Sequence, residues 1–338
     1  MFIGEVLGEF NMLVKFKILG PIFFRGSGEF DPSSRGVYSM GRSLILPTPS
    51  TIAGALATLF GSNFSPSQDW ISEYISVLGK IAIRGPIISI INKEKTNSSN
   101  IYLDFSLKNK LISYDALNSY VTKIKSIIEE ENSAKKEKML DELNRELKGK
   151  TISPKIQERI GIGLKVRKEN IKVVEEDKGL IYSAQYIDYS FGKHLLIEIY
   201  YEIIGESKVK TGSYHTRLGG EGRVCEIMIK EGEIKELLKI SEKANVLYVA
   251  SPILYDTGKD IIESIRSEID TNVKIYGKVN LLGAGYSLLN NKRKPIYQAL
   301  VPGSLIFLGE EKNGEELYRN GLGYAKEIGY GTVIPLYI

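Results

Sequence analysis

The chain has 338 residues, enough for two domains with sizeable cores, and its 43% hydrophobic and 25% charged content is that of an ordinary soluble globular protein. Its 45 Lys and Arg against 41 Asp and Glu leave a net charge of +4, so overall charge imposes no nucleic-acid partner and any basic surface must come from local clustering. The single cysteine, Cys225, excludes an internal disulfide and a cysteine-based zinc site, and no segment approaches the ~20 apolar residues of a membrane helix.

Met12–Leu19 alternates Met12, Val14, Phe16 and Ile18 on one side, which predicts a strand. A polar loop rich in Gly, Ser and Pro follows, carrying Arg25, Ser27, Arg35 and Arg42. It leads into a helix in which Ser50 is the expected cap, Ile52, Ala53, Leu56, Leu59 and Phe60 form the apolar stripe, and Gly61 is the expected left-handed stop. A basic loop at a helix N-terminus suits phosphate oxygens, and an ordinary strand–loop–helix connection has the same pattern. A second helix is expected from Ser65 and Pro66 through Trp70, Ile71, Tyr74, Ile75 and Leu78. Strands are expected at Lys80–Ile91, interrupted at Gly85-Pro86, and at Ile101–Leu107, with a polar turn at Lys93–Asn100. Strand, helix, strand, strand is the start of a ferredoxin-like unit.

From Asp115 to Lys150 the composition turns heavily and evenly charged. Two helices broken near Glu131-Asn132-Ser133, with a thin stripe of Leu140, Leu143 and Leu147, predict a helical insertion or lid, which a solvated hairpin without a ligand explains equally. Strands resume at Arg159–Arg167, Gly179–Tyr189 and Lys193–Ile204, and another follows the Gly-rich turn LGGEGR. Glu231–Ser241 reads as helical, Leu247–Ser251 as a strand, Ile261–Ile269 as a short helix, and Lys274–Leu282 and Val301–Leu308 as strands. This is a second α+β unit of the same class. The chain closes with GLGYAKEIGYGTVIPLYI, where Gly321, Gly323, Gly329 and Gly331 before a final strand let backbone approach a ligand closely, or serve the strands and turns for purely structural reasons.

Chemistry for catalysis is sparse. His194 and His215 stand in no metal-ligand spacing. His215 lies in YHTRLGGEGR beside Arg217 and Arg223, a grouping suited to metal-free RNA cleavage and equally to a plain RNA contact. GGEGR lacks the consecutive acids of a two-metal site, and neither a P-loop nor a G-x-S-x-G elbow is present. The remaining inventory is one for binding: Arg25, Arg35, Arg42, Arg159, Arg217 and Arg223 in or beside Gly-rich loops, and 20 tyrosines. Arginine forks hold phosphates and aromatic faces stack on unpaired bases.

Five blocks in order resemble the RAMP superfamily of CRISPR RNA-binding proteins. They are PTPSTIAGAL at Pro47–Leu56, ERIGIGL at Glu158–Leu164 followed by GLIYSAQY at Gly179–Tyr186, RLGGEGR at Arg217–Arg223, a block from Gly283 to Pro302-Gly303-Ser304, and the terminal GLGYAKEIGYG. Within the superfamily they are most similar to the third Cmr-module subunits of type III-B effector complexes. The resemblance implies an α+β fold of two ferredoxin-like (RRM-like) domains, residues 1–157 with the helical insertion near 115–150, and residues 158–338 with the terminal glycine loop. It implies a non-catalytic cytoplasmic subunit without cofactor or metal. Such a subunit holds the repeat-derived 5′ tag of the guide RNA and touches the large polymerase-like subunit and a backbone RAMP subunit. The RNA contacts it implies are Arg25, Ser27, Arg35, Arg42, Ser50, Thr51, Arg159, Arg217, Gly219, Gly220, Arg223, Gly323, Tyr324, Lys326, Gly329 and Gly331. A metal-free endoribonuclease of the same superfamily and a pure protein scaffold are the alternatives.

Overall fold

A computed structural model of the protein describes residues 11–25, 40–41, 43–61, 69–92, 99–162, 164–166, 172–174, 181–190, 195–219, 223–287 and 292–338. The first strand, β1 (Met12–Ile18), buries Val14, Phe16 and Ile18 on one side and Leu13 on the other, with Lys15 and Lys17 half-buried beside Leu13. Helix α1 (Pro49–Phe60) buries Ile52, Ala53 and Leu56 as its period requires. Its start differs from expectation. Pro49 takes the first helical position, which makes Thr48 and not Ser50 the cap residue, and the Thr48 hydroxyl lies 2.9 Å from that of Thr51. Gly61 is extended, not left-handed; a Cβ there would fall 2.7 Å from Val77 Cγ1, so this glycine serves the close approach of the next helix. That helix, α2 (Trp70–Leu78), is capped by Asp69, whose carboxylate accepts the Ile71 N–H at 3.2 Å; the expected start at Ser65 lies outside the described residues.

Strand β2 (Gly79–Asn92) runs unbroken through Gly85-Pro86. Gly85 has φ +136, and a Cβ there would meet the Tyr200 carbonyl at 2.8 Å. The expected interruption is instead a register shift opposite Tyr200 and Glu202. Next come β3 (Ser99–Phe105), β4 (Lys110–Ser113), α3 (Leu117–Glu129), α4 (Ser133–Leu147) and β5 (Thr151–Ile152). The break between the two helices falls where expected, with Asn132 capping α4 through the Lys135 N–H. The solvated-hairpin reading fails for α3, which buries Leu117, Tyr120, Val121, Ile124 and Ile127. In α4 only Leu143 and Leu147 are buried.

After β6 (Lys155–Ile162) and β7 (Ile181–Asp188) the chain returns with β8 (Leu195–Ser207), β9 (Gly212–Leu218) and β10 (Arg223–Glu231). One eight-stranded sheet results, in the order β9-β10-β1-β8-β2-β3-β4-β5. β8 enters between β1 and β2, so β3 to β5 extend the sheet outward beyond β2. The sheet therefore takes strands from both sides of the expected division at residues 157 and 158. Glu231–Ser241 is not a helix: a single 3-10 turn, Ile234–Glu236, is closed by reciprocal bonds of Glu233 and Glu236, and the chain then extends to bury Leu238 and Ile240 two residues apart.

The second sheet lies in residues 243–336. Strand β11 (Lys243–Val249) is followed by β12 (Ile253–Tyr255), α5 (Ile261–Ile269), β13 (Val273–Tyr276), β14 (Val279–Gly283), β15 (Ile296–Leu300), β16 (Leu305–Asn313), α6 (Gly314–Asn320) and β17 (Val333–Leu336). Its order is β13-β16-β11-β17, antiparallel throughout, and β12-β15-β14 form a small sheet beside it. Helices α1 and α2 cover one face of the first sheet. On the other face Leu13, Ile87 and Leu103 share a core with α3 and with Val246, Tyr248 and Leu305 of the second sheet. Among the described residues no helix is long and apolar enough to cross a membrane.

Asp104 of β3 sits in this shared core. Its carboxylate accepts the Ser106 N–H at 2.9 Å and hydroxyl at 2.6 Å, and its carbonyl accepts the Tyr248 hydroxyl at 2.6 Å. Burial pushes the carboxyl pKa up to about 7, against the Ser106 bonds, which lower it. The folded state thus binds a proton that the unfolded state has released, over the window from about 4 to about 7. Stability from this group is greatest at acid pH and is lost as pH rises through that window. The expected result is a flatter stability-versus-pH curve between those limits in Asp104→Asn, measured by urea unfolding at stepped pH. An unchanged curve would mean that Asp104 is ionised throughout.

Candidate nucleic-acid interface

β6 and β7 pair antiparallel, with Arg159 opposite Ala184 and Gln157 opposite Tyr186. The Tyr186 ring is buried, and two cations lie against it: the Arg159 guanidinium carbon is 4.9 Å from its centroid and that of Arg223 is 5.5 Å away. The Phe23 ring adds a contact at 5.8 Å. Gly219 brings these elements together. It has φ +74, and a Cβ there would fall 2.6 Å from the Phe23 carbonyl and 3.1 Å from the Phe24 ring, so the chain just after β9 lies directly on residues 23 and 24. That segment is stitched in turn to β7 by paired Ile22–Ile187 backbone bonds of 2.9 and 2.8 Å, and to residues 43–44 by the Phe24 and Arg25 backbone. Arg25 therefore stands exposed beside the cluster.

The donors of this cluster are largely unspent. Arg159 Nη2 donates to Gln157 Oε1 at 3.3 Å, and the buried Arg223 Nε has no partner. Among the described residues no carboxylate pairs with either guanidinium. Two such forks, held half-buried by one ring, suit bidentate phosphate contacts.

The other expected contacts are dispersed. Ser27, Arg35, Arg42 and Gly220, like His194, lie outside the described residues. Ser50 is 8% exposed, with its hydroxyl 3.1 Å from Thr48 Oγ1 and accepting from Tyr330 at 3.2 Å; Thr51 shares the same Thr48 hydroxyl. Arg217 pairs in register with Val224 and Arg223 with Leu218, so the two arginines of RLGGEGR leave opposite faces of the sheet. Gly329 and Gly331 are buried, Lys326 pairs with Glu268 at 3.2 Å, and the Gly323 N–H donates to the same carboxylate group at 2.8 Å. Of the terminal loop Tyr324 is the exposed member, its ring 5.1 Å from that of Tyr297. Sequence reasoning missed Phe23 and Tyr186, which frame the cluster, and Arg84, a charge inside an isoleucine-rich strand that was itself a signal.

Residues 17–103 match the family model described as CRISPR-associated protein (Cas_Cmr3). The chain is 26% identical over 329 residues to the CRISPR system CMR subunit Cmr3 of Saccharolobus solfataricus, covering 96% of each. It also superimposes on a chain of the type III-B Cmr-beta complex bound to cognate target RNA, with a TM-score of 0.61, 26% identity and 96% of both chains covered. The chain is thus similar to Cmr3 over nearly its whole length. A second state of the Cmr-beta complex, with target RNA and AMPPnP, shares the fold at a TM-score of 0.60, 22% identity, and 96% and 95% coverage. The Cmr3 family match spans Arg25, Ser50, Thr51 and Arg84, while Arg159, Tyr186 and Arg223 fall in the longer alignment alone.

His215 is exposed on β9, on the Arg217 face and so opposite to Arg223. The Cys225 thiol is buried, which pushes its pKa up to about 11 and keeps it protonated. Among the described residues no three His, Cys, Asp or Glu side chains are grouped to hold a metal ion.

Proposed function

We propose that this chain is a non-catalytic, cytoplasmic RNA-holding subunit of a type III-B effector complex. It grips the repeat-derived 5′ tag of the guide RNA and bridges the large subunit to the backbone. The observation that carries this reading is the pair of guanidinium groups against the Tyr186 ring, without carboxylate partners among the described residues, with Arg25 beside them. Phosphate contacts from Arg25, Arg159 and Arg223 fix the strand, and unpaired bases splay against the neighbouring surface. The fold supports it. We read the second sheet as ferredoxin-like from the β-α-β-β-α-β order of its own strands and its β13-β16-β11-β17 arrangement. In the first sheet β10-β1-β8-β2 repeats the same four-strand order, with a hairpin in place of the second helix. The separation of His215 from the arginine cluster favours holding over cleavage.

The test is a salt titration of tag-RNA binding by the assembled complex, against a scrambled tag. Arg159→Ala with Arg223→Ala is expected to lower the log–log salt slope by about 0.7 per lost phosphate contact, and to leave the RNA intact on a denaturing gel. An unchanged slope would remove the cluster from the RNA site, and a shortened RNA product would make the chain a nuclease.

A further inference from the structure

β9 is the outermost strand of the eight-stranded sheet, and its hydrogen-bonded neighbour is β10. Among the described residues no backbone hydrogen bond leads from residues 212–218 to anything else. The strand is firmly backed, because α1 lies behind it and the Phe60 ring meets Tyr214 edge-on at 5.3 Å. On the open face Ser213, His215 and Arg217 stand in register with Met228, Glu226 and Val224 of β10. Val224 is 51% and Met228 38% exposed. Glu226 is spoken for by Lys17 at 2.9 Å, whereas Arg217 has no carboxylate within ion-pair distance among the described residues. The edge is thus a row of unused strand donors and acceptors, cationic at the rim and aliphatic just inboard.

We propose that the β9 edge accepts an extended, acidic segment of a protein partner as a ninth strand. An added strand takes its affinity from the main-chain ladder and its specificity from alternate side chains. Carboxylates at every second position of the partner would face His215 and Arg217. Two other occupants fit worse. A second copy pairing edge to edge would bring Ser213, His215 and Arg217, none of them a carboxylate, and so leaves Arg217 without an acidic partner. An RNA strand would find aliphatic Val224 and Met228 where bases need aromatic faces. The partner is a protein of the effector complex, so the inference rests on the component role and not on the tag-holding cluster.

Hydrogen–deuterium exchange tests it on the unmodified chain, alone and in the assembled complex. Every second amide of β9 is expected to slow by roughly tenfold or more on assembly, and to stay slow after ribonuclease treatment. Unchanged exchange in the complex, or protection that vanishes with the RNA, would overturn the proposal. In a second arm, Ser213→Glu with Val224→Glu puts like charge against the acidic segment. A protein partner is expected to co-purify at least roughly tenfold less with this variant, a factor worth about 1.4 kcal/mol. Full retention of every partner would also overturn it. Loss of the salt-slope effect at Arg159 and Arg223 leaves both readouts untouched, so the two readings fail separately.

Discussion

Arg84→Met is expected to destabilise the protein by about 3–5 kcal/mol, because it strips the donors from several buried carbonyls at once. Arg84 stands in β2 and is 1% exposed. Its Nε donates to the carbonyls of Tyr318 and Arg319 at 2.8 and 3.0 Å, and its Nη2 donates to Arg319 at 2.5 Å. Its Nη1 donates to the carbonyls of Ile83 and Lys326, each at 2.6 Å. The guanidinium therefore closes the C-terminal end of α6, where unpaired carbonyls carry partial negative charge, and pins the terminal loop to the first sheet. Burial lowers its pKa to about 10, still well above neutrality, so the cation persists. Methionine fills similar space, so the loss is that of four carbonyls stripped of their donor, each costing about 1–3 kcal/mol before relaxation. Arg84→Lys retains the charge but not the planar fork, and most of the loss is expected to remain. Urea unfolding checks both variants; a loss under about 1 kcal/mol in Arg84→Met would mean that water replaces the guanidinium.

Much of the fold was legible because its signals are local. The spacing of Ile52, Ala53 and Leu56 after Pro49 marks α1, and the alternation of Val14, Phe16 and Ile18 marks β1. What local signals lack is pairing. The residues of β8 read plainly as a strand, yet nothing in them says that they enter between β1 and β2 after an excursion of about a hundred residues, a non-local choice set by packing. The site was partly legible for a related reason. Arg217 and Arg223 are six apart in one motif, but hairpin register, not sequence distance, decides the face, and Gly219 turns the chain so that they part. Ser50 carries a polar side chain that suggests a surface contact, and the fold spends it on Tyr330. The terminal glycines show the same ambiguity. A glycine announces that something approaches closely and does not say what; here Gly323 is approached by Leu254 and Gly329 by Pro49 and Ile83.

Gly331→Ala carries that point to its largest consequence. Gly331 has φ +68, and a Cβ there would stand 1.7 Å from the Leu322 carbonyl oxygen and 2.9 Å from the Leu322 nitrogen. Both obstacles are backbone, so no side-chain rotation relieves them. The Gly331 carbonyl accepts the Leu322 N–H at 2.9 Å and its own N–H donates to Pro252 at 2.8 Å, so a shift of the loop breaks bonds on both sides. A loss of about 3 kcal/mol or more is expected, most of it from the collision and about 1 kcal/mol from the left-handed backbone. Gly258→Ala is the control: nothing lies within 4 Å of its Cβ and its φ is ordinary, so a change within about 0.5 kcal/mol is expected. The single tryptophan reports the displacement directly, since the Trp70 ring lies 6.5 Å from Tyr324 and 6.4 Å from Tyr330. Its emission is expected to shift in Gly331→Ala and not in Gly258→Ala. Because Arg84 and Gly331 hold the same loop, the double variant is expected to cost less than the sum of the single ones, as neighbouring sites sharing one structure do. Additive losses would show two independent anchors, and the loop would then be held at its Lys326 end by Arg84 and at its Gly331 end by Leu322 without communication between them.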